Sequence, residues 1–134
     1  MWSCTKCGRF FEKAKQSHSC TKVPIGQHFK NKIKAKELYD YLVEQINKRI
    51  GKTKLISLPC CVHLFGNYDF LAVLPKMNGL EIRFILDHKI ESPRFKQGVP
   101  VSLKFYKNCV DINNQQEIDE ELINWLKESY HLKD

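Results

Sequence analysis

Three cysteines and one histidine near the start of the chain have the spacing of a metal site. Cys4 and Cys7 are separated by two residues, and His18 and Cys20 by one, which gives the pattern C-x2-C-x10-H-x-C. Thiolate and imidazole groups are the ligands of tetrahedral structural Zn²⁺. Because four protein ligands leave no position for water, the pattern predicts a structural zinc held by Cys4, Cys7, His18 and Cys20.

The remaining cysteines are Cys60, Cys61 and Cys109. Together with His63 they could form a second metal site. However, free cysteine is among the most buried residue types and behaves as a small hydrophobe. Cys61, His63 and Phe65 alternate as residues on one face of a strand do. The sequence therefore favours packing of these side chains over a second metal site.

Positive charge is concentrated in the first quarter of the chain. Residues 1–36 contain nine Lys and Arg against one acid, a net charge of +8, whereas residues 37–134 contain thirteen against fourteen, a net charge of −1. Such a segment neutralises phosphates and releases their counterions, so we expect nucleic acid as the partner, with a solubilising linker as the alternative. Phe10 and Phe29 are available to stack on unpaired bases, whereas Trp2 and Phe11 are expected to pack the small zinc core. The predicted nucleic-acid-binding residues are Lys6, Arg9, Lys30, Lys32, Lys34 and Lys36.

Two helices and five strands follow from the spacing of apolar residues. The i, i+3, i+4 pattern predicts a helix over 33–50, closed by Gly51. A second helix is predicted after Asn114, with Glu117 completing a capping-box variant. Alternating or continuously apolar segments predict strands, and residues 88–100 are expected to form an irregular loop. The predicted strands are 54–58, 61–65, 68–74, 80–86 and 101–106.

These elements predict an α+β fold: an antiparallel sheet of four to five strands flanked by two helices on one face, with a small N-terminal zinc knuckle. We expect residues 1–21 to form the knuckle, 22–33 a basic linker, and 34–134 the α+β domain. The chain contains no apolar run near the roughly 20 residues of a membrane span. Its start lacks the apolar core of a signal peptide. We therefore expect a soluble cytoplasmic protein with no membrane partner.

A catalytic constellation is not evident, because the sequence has neither a glycine-rich phosphate loop nor a nucleophile elbow. We expect a non-catalytic binding module and assign no catalytic residue. A metal-dependent nuclease, built on Asp69, Asp87 and Lys89, is one alternative. Solvated turn positions explain these residues better, since Asp87 follows a strand and has no evident carboxylate partner. A scaffold is the other alternative, with protein partners docking on the open sheet face through Phe65, Ile85 and Tyr106.

Segments along nearly the whole chain resemble a bacterial family of small proteins. The head contributes W-x-C-x2-C-G-R-x-F from residue 2 and Q-x-H-x-C from residue 16. Later segments are FLAVLPK at 70–76, GLE at 79–81 and IDEEL-x2-WL at 118–126. The main domain of that family is called the domain of unknown function DUF5655. The resemblance implies a metal-binding head on an α+β domain, and no established activity.

Overall fold

An α+β fold is observed in a computed structural model that describes residues 2–5, 10–11, 14–15 and 23–133. Two short strands of the head pair antiparallel, and a larger sheet with three helices follows. The elements are β1 Trp2–Ser3, β2 Phe10–Phe11, α1 Ile25–His28, α2 Ile33–Arg49, β3 Lys54–Ser57, β4 Val62–Phe65, β5 Asp69–Pro75, β6 Leu80–Leu86, β7 Phe95–Pro100, β8 Tyr106–Ile112 and α3 Glu120–His131, with a 3-10 turn at Gln115–Glu117 before α3.

The main sheet is antiparallel and has the strand order β3-β4-β5-β6-β8-β7. Its first four strands are neighbours in sequence and in space, as a meander requires. The last pair departs from the meander, because β8 lies between β6 and β7. The α+β class and the antiparallel sheet are thus confirmed. The sheet has six strands, one more than the largest number predicted, because two strands, β7 in the expected loop and β8 after it, replace the single strand predicted at 101–106.

The predicted strand at 101–106 is wrong. Most of this segment forms the turn between β7 and β8, where Leu103 is fully exposed. The sequence pattern did not indicate the strand that follows, β8, because Asn108 interrupts its apolar alternation. Asn108 is nevertheless buried, since its side chain accepts a hydrogen bond from the Ile90 N–H and donates one to the His88 carbonyl, both at 3.0 Å. The polar side chain therefore serves as the anchor of the loop after β6.

The two long helices cover one face of the sheet, as predicted. Helix α2 buries the residues of its 3.6-residue pattern, and α3 buries a matching stripe. These stripes and the inward residues of β4, β5, β6 and β8 form the main core. No helix in the described ranges is long and apolar enough to cross a bilayer. The buried helix residues are Ala35, Leu38, Tyr39, Leu42 and Ile46 in α2, and Leu122, Ile123, Leu126 and Ser129 in α3.

The capping box at Asn114 is present but caps the 3-10 turn, not the helix. Asn114 and Glu117 exchange side-chain-to-backbone hydrogen bonds. Two residues separate helix α3 from that turn, and the second of them, Asp119, is the N-cap of α3 and accepts a hydrogen bond from the Leu122 N–H at 3.0 Å. Asn114 therefore caps the start of the 3-10 turn, and Asp119 caps the start of α3. The sequence pattern identified only the first of these two caps.

Tyr130 of α3 packs against two glycines next to the sheet. A Cβ atom on Gly66 would lie 2.6 Å from the Tyr130 ring, and one on Gly51 would lie 2.7 Å from its hydroxyl oxygen. That hydroxyl donates to the Lys52 carbonyl at 2.8 Å. Glycine is thus needed at both positions because any side chain would displace Tyr130.

The predicted linker at 22–33 contains α1 in its described part. Phe29, which follows α1, is buried in the main core, and its ring centroid lies 5.0 Å from that of Tyr39. The expectation that Phe29 stacks on a base is therefore wrong. Its side chain ties the start of the domain to α2.

Candidate metal centre

Two thiols and one imidazole converge where β4 begins. The Cys60 Sγ lies 3.0 Å from the Cys61 Sγ, which in turn lies 3.1 Å from the His63 Nε2. All three potential ligand atoms lie within 4.8 Å of one another. Cys61 is buried and Cys60 is exposed, so this thiol–imidazole cluster can be reached from solvent.

Asp69 holds the imidazole of His63 in place. The His63 Nδ1 donates to the Asp69 Oδ2 at 2.7 Å, and the two side chains are only 12% and 19% exposed. A register shift in the β4–β5 pairing places Asp69, instead of Phe70, opposite Phe65. Since neighbouring strand residues point to opposite faces, this bulge turns Asp69 to the face of His63 and leaves Phe70 for the core.

The cluster favours a thiolate beside an imidazolium. Burial opposes the charge on His63, but hydrogen bonds to Asp69 and Cys61 outweigh it and raise the pKa of His63 to about 10. Burial also opposes a Cys60 thiolate, yet hydrogen bonds to Cys61 and His63 lower the pKa of the Cys60 thiol. The thiolate is the form of cysteine that binds metals and attacks electrophiles.

The geometry of His63 suits a metal ligand once the ion displaces the proton on Nε2, because a ligating histidine is neutral. A ligating histidine usually donates its other ring N–H to a carboxylate, which fixes the ring and raises its basicity. In tetrahedral zinc sites, with Zn–S near 2.3 Å and Zn–N near 2.0–2.1 Å, ligand atoms lie roughly 3.6–3.8 Å apart. The observed separations of 3.0 and 3.1 Å would have to widen by roughly 0.5–0.8 Å to admit the ion. Three ligands leave one coordination position for an outside group.

Only one of the four predicted zinc ligands falls within the described residues. Cys4 is buried next to β1, and it is not part of the thiol–imidazole cluster. Cys7, His18 and Cys20 lie outside the described residues. The metal site in the head therefore stays a prediction.

The group that the sequence disfavoured as a metal site is the one that the structure brings together. Cys61 is buried, as expected, but its Sγ and the potential ligand atoms of Cys60 and His63 lie within 4.8 Å of one another. Cys109, which was considered with them, is also buried; it pairs with Arg83 across β8 and β6 and lies outside the cluster.

The described lysines of the predicted nucleic-acid site surround the start of α2. Lys30 and Lys34 are exposed. Lys36 pairs with Asp40 at 2.5 Å, and the Lys32 Nζ donates to the Pro75 carbonyl at 3.3 Å. Two of the four are thus engaged by protein groups. Lys6 and Arg9 lie outside the described residues.

The carboxylates of the nuclease alternative belong to different groups. Asp69 is bound to His63, so the expectation of a solvated turn position is wrong for Asp69. Asp87 is exposed and forms a second potential metal-ligand group with His88 and Glu128. The Asp87 Oδ1 lies 2.6 Å from the His88 Nδ1. The side chains of Asp87, His88 and Glu128 are 59%, 50% and 46% exposed, which makes this group a weaker candidate than the thiol–imidazole cluster.

One expected docking anchor on the open sheet face is unavailable. Phe65 is buried with Ile56 and Leu58 in a small cluster opposite the main core. Ile85 and Tyr106 are half-buried. The open face therefore carries an apolar cluster of its own, and Phe65 cannot act as an exposed anchor.

A family model described as a domain of unknown function (DUF5655) matches residues 25–133. The matched range includes the thiol–imidazole cluster, Asp69, the main sheet and both long helices, and it excludes the head. No curated protein and no solved structure matches the chain.

Proposed function

The chain belongs to the DUF5655 family, and we propose that in this member the domain is a zinc-binding module. Cys60, Cys61 and His63 are the ligands, and Asp69 orients His63. The observation that carries the proposal is the convergence of three ligand atoms within 4.8 Å on a histidine whose second nitrogen is held by a carboxylate at 2.7 Å. Thiolate ligands favour zinc over Mg²⁺ and Ca²⁺, which prefer oxygen ligands.

The proposal extends to a second zinc ion in the head. Strands β1 and β2 pair antiparallel, with Trp2 opposite Phe11, so the two ends of the segment that contains the C-x2-C sequence are brought together. Cys4 is buried at one of these ends. These features support a closed structural site made by Cys4, Cys7, His18 and Cys20, separate from the site at Cys60, Cys61 and His63.

Titration with Co²⁺ tests both sites, because thiolate-to-cobalt absorption reports how many cysteines bind each ion. We expect the wild-type protein to bind two equivalents and Cys61→Ser to lose one of them. Cys109→Ser is the matched control, since Cys109 is also a buried thiol but lies outside the cluster. Cys4→Ser should lose the other equivalent. Full binding by Cys61→Ser would remove the basis of the proposal.

A second function, contact with nucleic acid, is supported by the charge around the start of α2. The first turn of α2 contains no acidic residue, although Lys32 and Lys34 lie at the positive end of the helix dipole, where cations are unfavourable. A phosphate backbone would offset this local repulsion. The rest of the +8 segment, residues 1–36, adds to the attraction.

Salt dependence distinguishes a phosphate-binding surface from a solubilising segment. With about five phosphate contacts, log K should fall with log salt at a slope of about −4 to −5 on duplex DNA. The double variant Lys30→Gln/Lys34→Gln should flatten the slope by about two units. Lys48→Gln/Lys52→Gln removes the same charge at the far end of α2 and should leave the slope unchanged. Equal effects of both pairs, or no binding near roughly 50 mM salt, would contradict this function.

A further inference from the structure

A basic cleft of about 350 Å³ opens beside α1, the start of α2 and the turns before β4 and after β5. Its polar side is formed by Gln27, His28, Lys32 and Lys76, and the Cys60 thiol also reaches it. The remaining lining residues are aliphatic or proline. None of the described lining residues is acidic, so the cleft has an uncompensated positive charge.

The two lysines of the cleft have donors to spare. The Lys32 Nζ donates to the Pro75 carbonyl at 3.3 Å, which fixes the ammonium group at the wall of the cleft. Since an ammonium group has three donors, two remain for a ligand. Lys76 follows β5 and is exposed. Within the described part of the chain, neither Lys32 nor Lys76 forms an ion pair.

His28 adds a polar atom that has no hydrogen-bond partner in the described part of the chain. Its Nε2 is buried and has no hydrogen-bond partner among the described residues. A buried polar atom without a partner is costly, and native proteins rarely leave one unsatisfied. The atom itself has almost no exposed surface, so the ring of His28, which lines the cleft, must rotate before an oxygen atom of a ligand can supply the missing partner.

We propose that this cleft binds a phosphate monoester. Two ammonium groups and an imidazole, without a competing carboxylate, match the charge and acceptor oxygens of a phosphate dianion. The apolar side suits the carbon atoms of the ester. A volume at the low end of the roughly 300–1,000 Å³ of small-molecule sites fits a phosphate group with a small organic substituent. The inference goes beyond the proposed metal site, because Lys32, Lys76 and His28 are not metal ligands.

Calorimetric titration with inorganic phosphate, at constant ionic strength in chloride, tests the cleft. We expect saturable binding that weakens about tenfold in Lys76→Gln, the loss typical of a charged hydrogen bond. Lys32→Gln should weaken binding similarly. Lys48→Gln, the same change at the far end of α2, should not alter the affinity. Absence of saturable binding, or an equal loss in Lys48→Gln, would overturn the proposal.

Three further ligands identify the source of the phosphate group. Ribose 5-phosphate should bind with the same dependence on Lys76 as inorganic phosphate, which supports a free monoester. A preference for a 5′-phosphorylated oligonucleotide over its 5′-hydroxyl counterpart would also support monoester recognition, with a strand end as the source. Binding of the 5′-hydroxyl strand with the full Lys76 dependence would show recognition of backbone diesters and would overturn the monoester proposal.

Discussion

Replacement of Asp69 by asparagine should weaken zinc binding at the thiol–imidazole cluster by about 10- to 100-fold, or about 1.4–2.7 kcal/mol. Asparagine keeps the shape of the side chain but removes its charge. The Asp69–His63 hydrogen bond is 2.7 Å long and largely shielded from water. Its charge therefore acts strongly on the orientation of the ring and on the basicity of the ligating Nε2.

Asp87→Asn is the matched control. Asp87 also binds a histidine Nδ1, that of His88 at 2.6 Å, and the substitution removes the same charge. The side chains of His88 and Asp87, however, are 50% and 59% exposed, so their interaction is screened by solvent. Zinc affinity at the cluster should be unchanged in this variant.

Competition with a chromophoric zinc chelator measures the zinc affinity of each variant. The relevant zinc equivalent is the one that Cys61→Ser removes. Circular dichroism of each variant verifies that the fold is retained. Wild-type affinity in Asp69→Asn would refute the role given to the carboxylate. Weakened binding in Asp87→Asn with no change in Asp69→Asn would indicate that the metal binds at the exposed group that contains Asp87.

Three other predictions concern stability. Gly66→Ala should destabilise the protein by about 1–3 kcal/mol in urea denaturation, because the new methyl group would collide with Tyr130. Gly26→Ala is the control: no atom lies within 4 Å of its new methyl group, so stability should change by no more than about 1 kcal/mol. Asp119→Ala should remove about 0.5–2 kcal/mol at neutral pH by deleting an N-cap. Burial raises the pKa of Asp119, but hydrogen bonds from backbone and arginine N–H groups outweigh it and hold the pKa below its usual value. The contribution of Asp119 to the free energy of unfolding is therefore complete above the ordinary Asp pKa near 3.9. It is lost as the pH falls through the lower pKa of Asp119 in the folded protein, so the stability of Asp119→Ala should decline less on acid titration than that of the wild type. Cys4→Ser, which leaves the proposed site at Cys60, Cys61 and His63 intact, should unfold the head and change Trp fluorescence while the urea transition of the main domain persists; loss of that transition would contradict independent folding of the head.

The helices and the meander could be predicted from the sequence because the spacing of apolar residues within each segment determines them. The apolar period of α2 predicted its bounds within one residue, and alternation placed β3, β4, β5 and β6 closely. The strand β8 was missed because Asn108 occupies a core position. Its burial depends on hydrogen bonds to the backbone of a loop about twenty residues earlier, and no local pattern reveals a partner of that kind.

The candidate site was half predictable. Alternation placed Cys61 and His63 on one face, as the structure confirms. The contribution of Asp69 depends on the bulge between Leu64 and Phe65. A regular pairing would have sent Asp69 to the core face, so a single irregularity in register decides which side chain supports His63.

The position of β8 between β6 and β7 constrains the order in which the sheet can fold. Strands β3 to β6 meet across connections of four residues or fewer, whereas β8 reaches β6 only after residues 87–105 have folded back. Closing this longer segment costs more chain entropy, and non-local pairings form slowly. The hairpin of β7 and β8 should therefore dock last and as a unit. Destabilising changes in β8 would then mainly accelerate unfolding, whereas comparable changes in β5 would mainly slow refolding.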